Sequence, residues 1–205
     1  MRTPLLIALM LTSTMTIAAE QTRNVAPFSA IEVRGPVDMV VQVGKPQSIQ
    51  LKGEDKFLAR LQTTVVNGKL IISFPKNEEN IKGDNKILLA MPALTAFHLE
   101  GAGSAELNNI QGNSVDLGFQ GAGRLVANGK VGQLKLVAQG VGDVNTKALL
   151  ARQATVRFEG IGAVKVHASE RLDANVQGMG SLNYYGNPRV VNKQVEGIGT
   201  VKAGN

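Results

Sequence analysis

Residues 154–164 read ATVRFEGIGAV, and this stretch decides the fold. Apolar residues at alternate positions from Ala154 to Phe158 are separated by polar ones, which is the period of two of a half-buried β-strand. Gly160 and Gly162 follow, and the alternation resumes at Val164. The stretch therefore predicts a strand, a bend and a second strand.

The same pattern occurs six times along the chain. The Gly-x-Gly pairs are Gly101 and Gly103, Gly121 and Gly123, Gly140 and Gly142, Gly160 and Gly162, Gly178 and Gly180, and Gly197 and Gly199. Their first glycines are 18 to 20 residues apart. Self-similarity at a nearly fixed period is the signature of a repeat architecture.

The residues on either side of each bend repeat as well. An apolar residue lies two positions before each first glycine: Leu99, Phe119, Ala138, Phe158, Val176 and Val195. Another lies two positions after each second glycine: Ala105, Leu125, Val144, Val164, Leu182 and Val201. The residue directly before each bend is always Glu or Gln: Glu100, Gln120, Gln139, Glu159, Gln177 and Glu196. Alternation predicts that the apolar sets face a core, and that the acidic and amide set forms one outward-facing row, the Glu/Gln column.

A single repeat of about 19 residues cannot bury its own apolar face, whereas stacked repeats can. The pattern therefore predicts an all-β fold, a parallel β-helix or β-solenoid with one turn of about 19 residues per repeat and turns roughly 4.8 Å apart. Glycine suits the corners, because sharp bends need positive φ angles or close backbone approach. A β-sandwich or barrel of antiparallel hairpins is the alternative, but it does not predict that every copy begins with the same half-pattern.

Residues 20–95 are less regular and are predicted to form an N-terminal β region that caps the solenoid half, residues 96–205, within one continuous domain. Strands are expected around Gly35-Pro36, at Ser48–Leu51 and at Ile87–Ala90, and helical spacing is found over Glu54–Leu61. Asn67-Gly68 between two apolar runs predicts a two-residue hairpin. Asn77–Asn85 reads as a polar loop.

Residues 1–19 have the pattern of a secretory signal peptide. Arg2 precedes an apolar run from Leu5 to Ile17, and the small residues Ala18 and Ala19 offer a cleavage site. The run is shorter than the roughly 20 residues of a membrane-spanning helix. We therefore expect a periplasmic or secreted protein.

Composition argues against several kinds of site. The chain has no Cys and only two His, His98 and His167, so thiolate and clustered histidine metal sites are not expected. The formal charge of +6 is spread over scattered residues rather than basic clusters, which disfavours nucleic acid as a partner. The Gly-x-Gly pairs lack the third glycine and the following helix of a dinucleotide fingerprint. The sequence indicates no cofactor, no metal and no catalytic motif.

Several segments together resemble a known family. FHLEGAGSAEL, FQGAGRLV, AQGVGDVN, FEGIGAVKV, VQGMGSLNYYG and VEGIGTVKA, with the opening FSAIEVRGPVDMVVQVG and LARLQTTVVNGKLIISF, look like the DUF2807 family, the "putative auto-transporter adhesin, head GIN domain". The resemblance covers roughly residues 25–203. It implies an exported β-helical protein with an adhesin label inferred from shape, and it brings no catalytic residues.

Two functions remain open. The first is an exported, non-catalytic interaction or structural module of the bacterial cell envelope, bound to a polysaccharide or protein, or to a second copy through the C-terminal edge. Its Glu/Gln column is then either a ladder that stabilises the fold or a binding stripe for cations or glycans. The second is a carbohydrate-active enzyme, an analogy with other β-helices. Alternation places Lys135 and Arg157 in one column with Asp116 and Asp173 nearby, but this mixed-charge group lacks aromatic residues and reads as ordinary pairing on a strand face.

Overall fold

The computed structural model describes residues 19–75 and 85–204. Nearly all of the predicted signal peptide and most of the predicted polar loop lie outside the described residues. The described chain forms ten strands and one short helix in a single open sheet, so the all-β prediction is confirmed.

The elements of the N-terminal half match most of the predicted ones. They are β1 (Ala19–Thr22), β2 (Ala30–Arg34), β3 (Val37–Val43), β4 (Ser48–Gly53), α1 (Asp55–Arg60), β5 (Gln62–Val66), β6 (Lys69–Ser73) and β7 (Lys86–Met91). The predicted hairpin is confirmed, because β5 and β6 pair antiparallel around Asn67 and Gly68, whose φ angles are 51° and 71°. Helix α1 buries Phe57 and Leu58.

The second half consists of β8 (Ala96–Tyr185), β9 (Val190–Gly197) and β10 (Thr200–Ala203). β2 and β3 pair parallel with the first residues of β8, and β9 and β10 pair parallel with its last residues. On their other side, β2 and β3 pair parallel with β6 and β7. The antiparallel strands β1, β4 and β5 lie beyond β6 and β7.

β8 contains 90 residues, and bends such as those at Gly101 and Gly121, whose φ angles are 139° and 135°, let it contact itself at regular intervals. A Cβ atom added to Gly121 would collide with the backbone of Gly101, and the same relation links Gly140 to Gly121, and Gly160 to Gly140. It continues from Gly178 to Gly160 and from Gly197 to Gly178. The first glycine of each copy therefore lies against the first glycine of the copy before it.

The alternating apolar residues form one continuous core. All six apolar residues after the bends are buried, and so are five of the six before them. Val195 is the exception, since it is 40% exposed and the prediction that it fills the core is wrong. It lies in β9, which pairs with β8 on one side and has no further strand on its other side within residues 19–75 and 85–204.

Two of the second glycines make room for aromatic rings rather than for backbone alone. A Cβ atom on Gly142 would lie 3.1 Å from Cε1 of Phe119, as well as against the backbone of Gly123. A Cβ atom on Gly180 would overlap the ring of Phe158. The bend is therefore also a packing site for the bulky core residues of an earlier repeat.

Candidate functional site

The outward residues of the strands that precede the bends form one surface, which we call the Glu/Gln face. Its register is set by the pairing of β2 with β8, which places Glu32 beside His98 and Arg34 beside Glu100. Later repeats continue the same rows, as shown by side-chain contacts between residues 19 or 20 positions apart, such as those of Asp116 with Lys135 and of Gln139 with Glu159.

Four members of the Glu/Gln column pair with each other. Nε2 of Gln139 donates to Oε2 of Glu159 at 2.8 Å, and Nε2 of Gln177 donates to Oε2 of Glu196 at 3.2 Å. The hydrogen bond from Gln139 is the main reason why the pKa of Glu159 lies below its ordinary value, and the guanidinium of Arg157 adds to the effect. These four side chains satisfy one another along the surface.

Glu100 and Gln120 behave differently. Both are exposed, and within the described residues neither side chain has a hydrogen-bond or ion-pair partner. They line a groove of about 380 Å³ on the Glu/Gln face. The other polar residues that line it are Glu32, His98, Asp116, Lys135 and Gln139.

The groove exists because Gly118 occupies an outward position in the middle of a strand. Its neighbours Leu117 and Phe119 point into the core and are buried. A Cβ atom on Gly118 would lie 2.8 Å from Cδ2 of His98, so any side chain there would fill the depression or displace the imidazole. Val137, the only apolar outward residue among those lining the groove, lies one repeat further on.

Polar side chains along the walls of the groove contact one another. Asp116 lies 3.1 Å from Nζ of Lys135 and 3.5 Å from Nε2 of His98. Glu32 accepts from Nζ of Lys69 at 2.9 Å, and this hydrogen bond lowers its pKa most, with Arg34 contributing further. The carboxylates of Glu32 and Asp116 are thus held in place, while Glu100 stays available to a ligand.

The residues considered for an enzyme do not form one cluster. Lys135 pairs with Asp116, Arg157 with Glu159, and Asp173 with Arg171. Asp116 and Asp173 lie three repeats apart, about 14 Å at the ordinary strand spacing. Within the residues that the structure describes, no three His, Cys, Asp or Glu side chains are placed to hold a metal ion.

Sequence reasoning identified the Glu/Gln column but missed the groove. Glu32 and His98 come from strands that are 66 residues apart in the chain, and only the pairing of β2 with β8 brings them together. A usable signal was nevertheless present, because Gly118 is a glycine at an outward position where a strand normally carries a side chain.

Comparison with known families matches the model described as "Putative auto-transporter adhesin, head GIN domain" over residues 27–188. The chain belongs to the DUF2807 family. The resemblance expected from the repeats is therefore confirmed, and membership gives the protein an adhesin-like character. Comparison with curated proteins finds no match.

Several solved structures are similar to this chain, and the first of them supports the fold. A putative adhesin from Bacteroides fragilis has a TM-score of 0.76 and 22% identity, and the match covers 92% of this chain and 98% of that one. A putative lipid binding protein from Parabacteroides distasonis has a TM-score of 0.49 and 17% identity, and the match covers 93% of this chain and 98% of that one. A putative adhesin from Parabacteroides merdae has a TM-score of 0.49 and 13% identity, and the match covers 93% of this chain and 97% of that one. Among the described residues, no helix is long and apolar enough to cross a membrane.

Proposed function

We propose that this protein is an exported, non-catalytic, adhesin-like module of the bacterial cell envelope, which binds a polymer in the groove of the Glu/Gln face. The observation that carries the proposal is the pair Glu100 and Gln120. Exposed side chains that line a groove and lack partners within the described chain can offer their full hydrogen-bonding capacity to a ligand.

The Glu/Gln column then has two parts with different roles. Gln139, Glu159, Gln177 and Glu196 form the stabilising ladder, because their hydrogen bonds are made within the protein. Glu100 and the following Gln120 form the binding part. Under this proposal, each of the two hypotheses drawn from the sequence applies to its own stretch of the column.

The composition of the groove limits the ligand. Carboxylate and amide oxygens accept hydrogen bonds and amide nitrogens donate them, which suits a surface rich in hydroxyl groups. Glu32 is paired with Lys69 and Arg34, and Asp116 with Lys135. Within the described chain, the unpaired charge that lines the groove is therefore the carboxylate of Glu100, which disfavours an anionic polymer. We expect a neutral or amine-bearing envelope polysaccharide.

The architecture that supports this role is a parallel β-solenoid with turns of about 19 residues, capped by the N-terminal β region within one domain. The contacts between first glycines of successive copies and the parallel register of β2, β3, β9 and β10 against β8 favour it. Inward-facing residues of successive turns then lie over one another, which explains the single core.

Export through a cleaved signal peptide at residues 1–19 is part of the proposal. The leader pattern in the sequence supports it, and so does the adhesin description of the family. β1 begins at Ala19, so that cleavage after Ala18 or Ala19 leaves at least Glu20–Thr22 to pair with β4. N-terminal sequencing of the exported protein tests this point.

The binding experiment uses the mature protein on a panel of neutral, amine-bearing and acidic polysaccharides, together with an assay for polymer degradation. Gln120→Ala is expected to abolish the retention of the protein on the polysaccharide that the wild type binds, without changing the melting temperature. Gln177→Ala, from the same column but hydrogen-bonded to Glu196, is the matched control and should keep retention. Equal loss in both variants, or retention of acidic polymers only, contradicts the binding site, and turnover of any polymer contradicts a non-catalytic role.

A further inference from the structure

The middle residues of the six bends form an exposed apolar ridge. The ridge consists of Ala102, Ala122, Val141, Ile161, Met179 and Ile198. Val141 and Met179 are each 55% exposed, Ile161 46% and Ile198 82%. These four account for half of the large hydrophobic residues that are exposed in the described chain.

The surroundings of the ridge make it protrude. Each of its residues is flanked on both sides by glycine, so no neighbouring side chain along the backbone covers it. Because the first glycine of each copy lies against that of the previous copy, ridge residues follow one another at about the strand spacing of 4.8 Å. Aligned apolar side chains on a soluble surface usually mark an interaction site.

We propose that the ridge packs against the ridge of a second copy in an antiparallel arrangement. A second copy has the same spacing along its ridge, so every side chain of one meets a counterpart on the other. Side-chain size rises from alanine at Ala102 and Ala122 through Val141 to the three large residues Ile161, Met179 and Ile198. An antiparallel pairing places Ala102 opposite Ile198, Ala122 opposite Met179, and Val141 opposite Ile161.

Size complementarity is what favours this direction. The four outer pairs each join an alanine to a large residue, and the two central Val141–Ile161 pairs are bulkier, so the distance between the ridges varies less than in a parallel pairing. A parallel pairing would bring Ile198 against Ile198 and leave a gap between the alanines. This inference is independent of the polymer-binding groove.

We expect the association to be weak, because the contact is small. Six residues from each copy form the contact, whereas a standard interface uses about 20–30 residues a side.

Sedimentation equilibrium of the mature protein, up to about 0.5 mM, tests the proposal. Wild type is expected to self-associate, and Ile161→Asn to lower the association constant at least about tenfold. Leu150→Asn is the matched control, because Leu150 is also 46% exposed but lies away from the bends, and it should have no effect. A wild type that stays monomeric, or equal loss in both variants, overturns the proposal.

A size exchange tests the direction of pairing. Ala122→Met adds a bulky side chain opposite Met179 and is expected to weaken association, although it enlarges the apolar surface. Adding Met179→Ala to that variant is expected to restore it, and thermal unfolding verifies that each variant folds. Stronger association in Ala122→Met, or no restoration in the double variant, overturns the antiparallel arrangement. Binding to phosphatidylcholine vesicles that is lost in Ile161→Asn would instead assign the ridge to a lipid surface.

Discussion

Replacing Gly162 by alanine tests whether the repeats stack through their bends. The φ angle of Gly162 is +142°, which an L-residue rarely adopts, and an added Cβ atom would collide with the carbonyl oxygen of Gly142 and lie 3.0 Å from its carbonyl carbon. The unfavourable φ angle costs about 1–3 kcal/mol. The collision adds to this cost, because the atoms in the way belong to the backbone of the sheet and cannot rotate away.

Gly68→Ala is the matched control. Its φ angle is +71°, but a Cβ atom there would meet nothing within 4 Å, so only the conformational cost remains, about 1 kcal/mol. A chain of this size loses about 2–4 °C in melting temperature per kcal/mol. We expect a loss of about 2–4 °C for Gly68→Ala and about 10 °C or more for Gly162→Ala, measured by circular dichroism. If the two variants melt within about 3 °C of each other, the glycines are not required by contact between repeats, and the reasoning for stacked turns is refuted.

Three further predictions concern packing and charge. Gly180→Ala should destabilise the fold by about 1–3 kcal/mol, because the added Cβ atom overlaps the ring of Phe158. The double variant with Phe158→Leu should lose less free energy of unfolding than the sum of the two single variants, which a double-mutant cycle in denaturant measures. The pKa of Glu32 is lowered in the fold, so its ion pairs stabilise the protein at pH values above the ordinary pKa of 4.5, and this stabilisation is lost as the pH falls below that value. Glu32→Gln should therefore flatten the fall in melting temperature between about pH 5 and 3. An unchanged slope of melting temperature against pH would contradict this. Gln139→Ala should raise the pKa of Glu159 towards its ordinary value, which a carboxyl titration followed by NMR detects, and no upward change would contradict the ladder.

Local patterns were sufficient to predict that the fold is all-β. Alternating residues such as Leu125 and Val164 were assigned to the core from the period of two alone, and both are fully buried. The hairpin at Asn67-Gly68 followed from residue types that accept positive φ angles. Such features depend on a few neighbouring residues, and for the alternating core residues the sixfold repetition reinforced the pattern.

Features that depend on contacts between distant residues could not be predicted in the same way. The parallel pairing of β2 with β6 joins residues nearly 40 positions apart and breaks the regular period of the repeat. Val195 has the same local pattern as Val176, yet it is exposed while Val176 is buried, because burial depends on a further strand and not on the residue itself. The apolar residue in each bend was visible in the sequence, but alternation fixes no direction for a side chain between two glycines.

The Glu/Gln column illustrates why residue type alone does not determine a role. In both observed pairs the glutamine of the earlier repeat donates to the glutamate of the next, as Gln139 does to Glu159. The first two members stand in the opposite order, Glu100 before Gln120, and beside them Gly118 removes the side chain that would otherwise fill the surface. An amide or carboxylate without an internal partner is satisfied by water or by a ligand, and a groove favours the ligand because it can bury several such groups at once. The same column can therefore stabilise the fold at one end and bind at the other, with the difference set by one glycine and by the order of two residues.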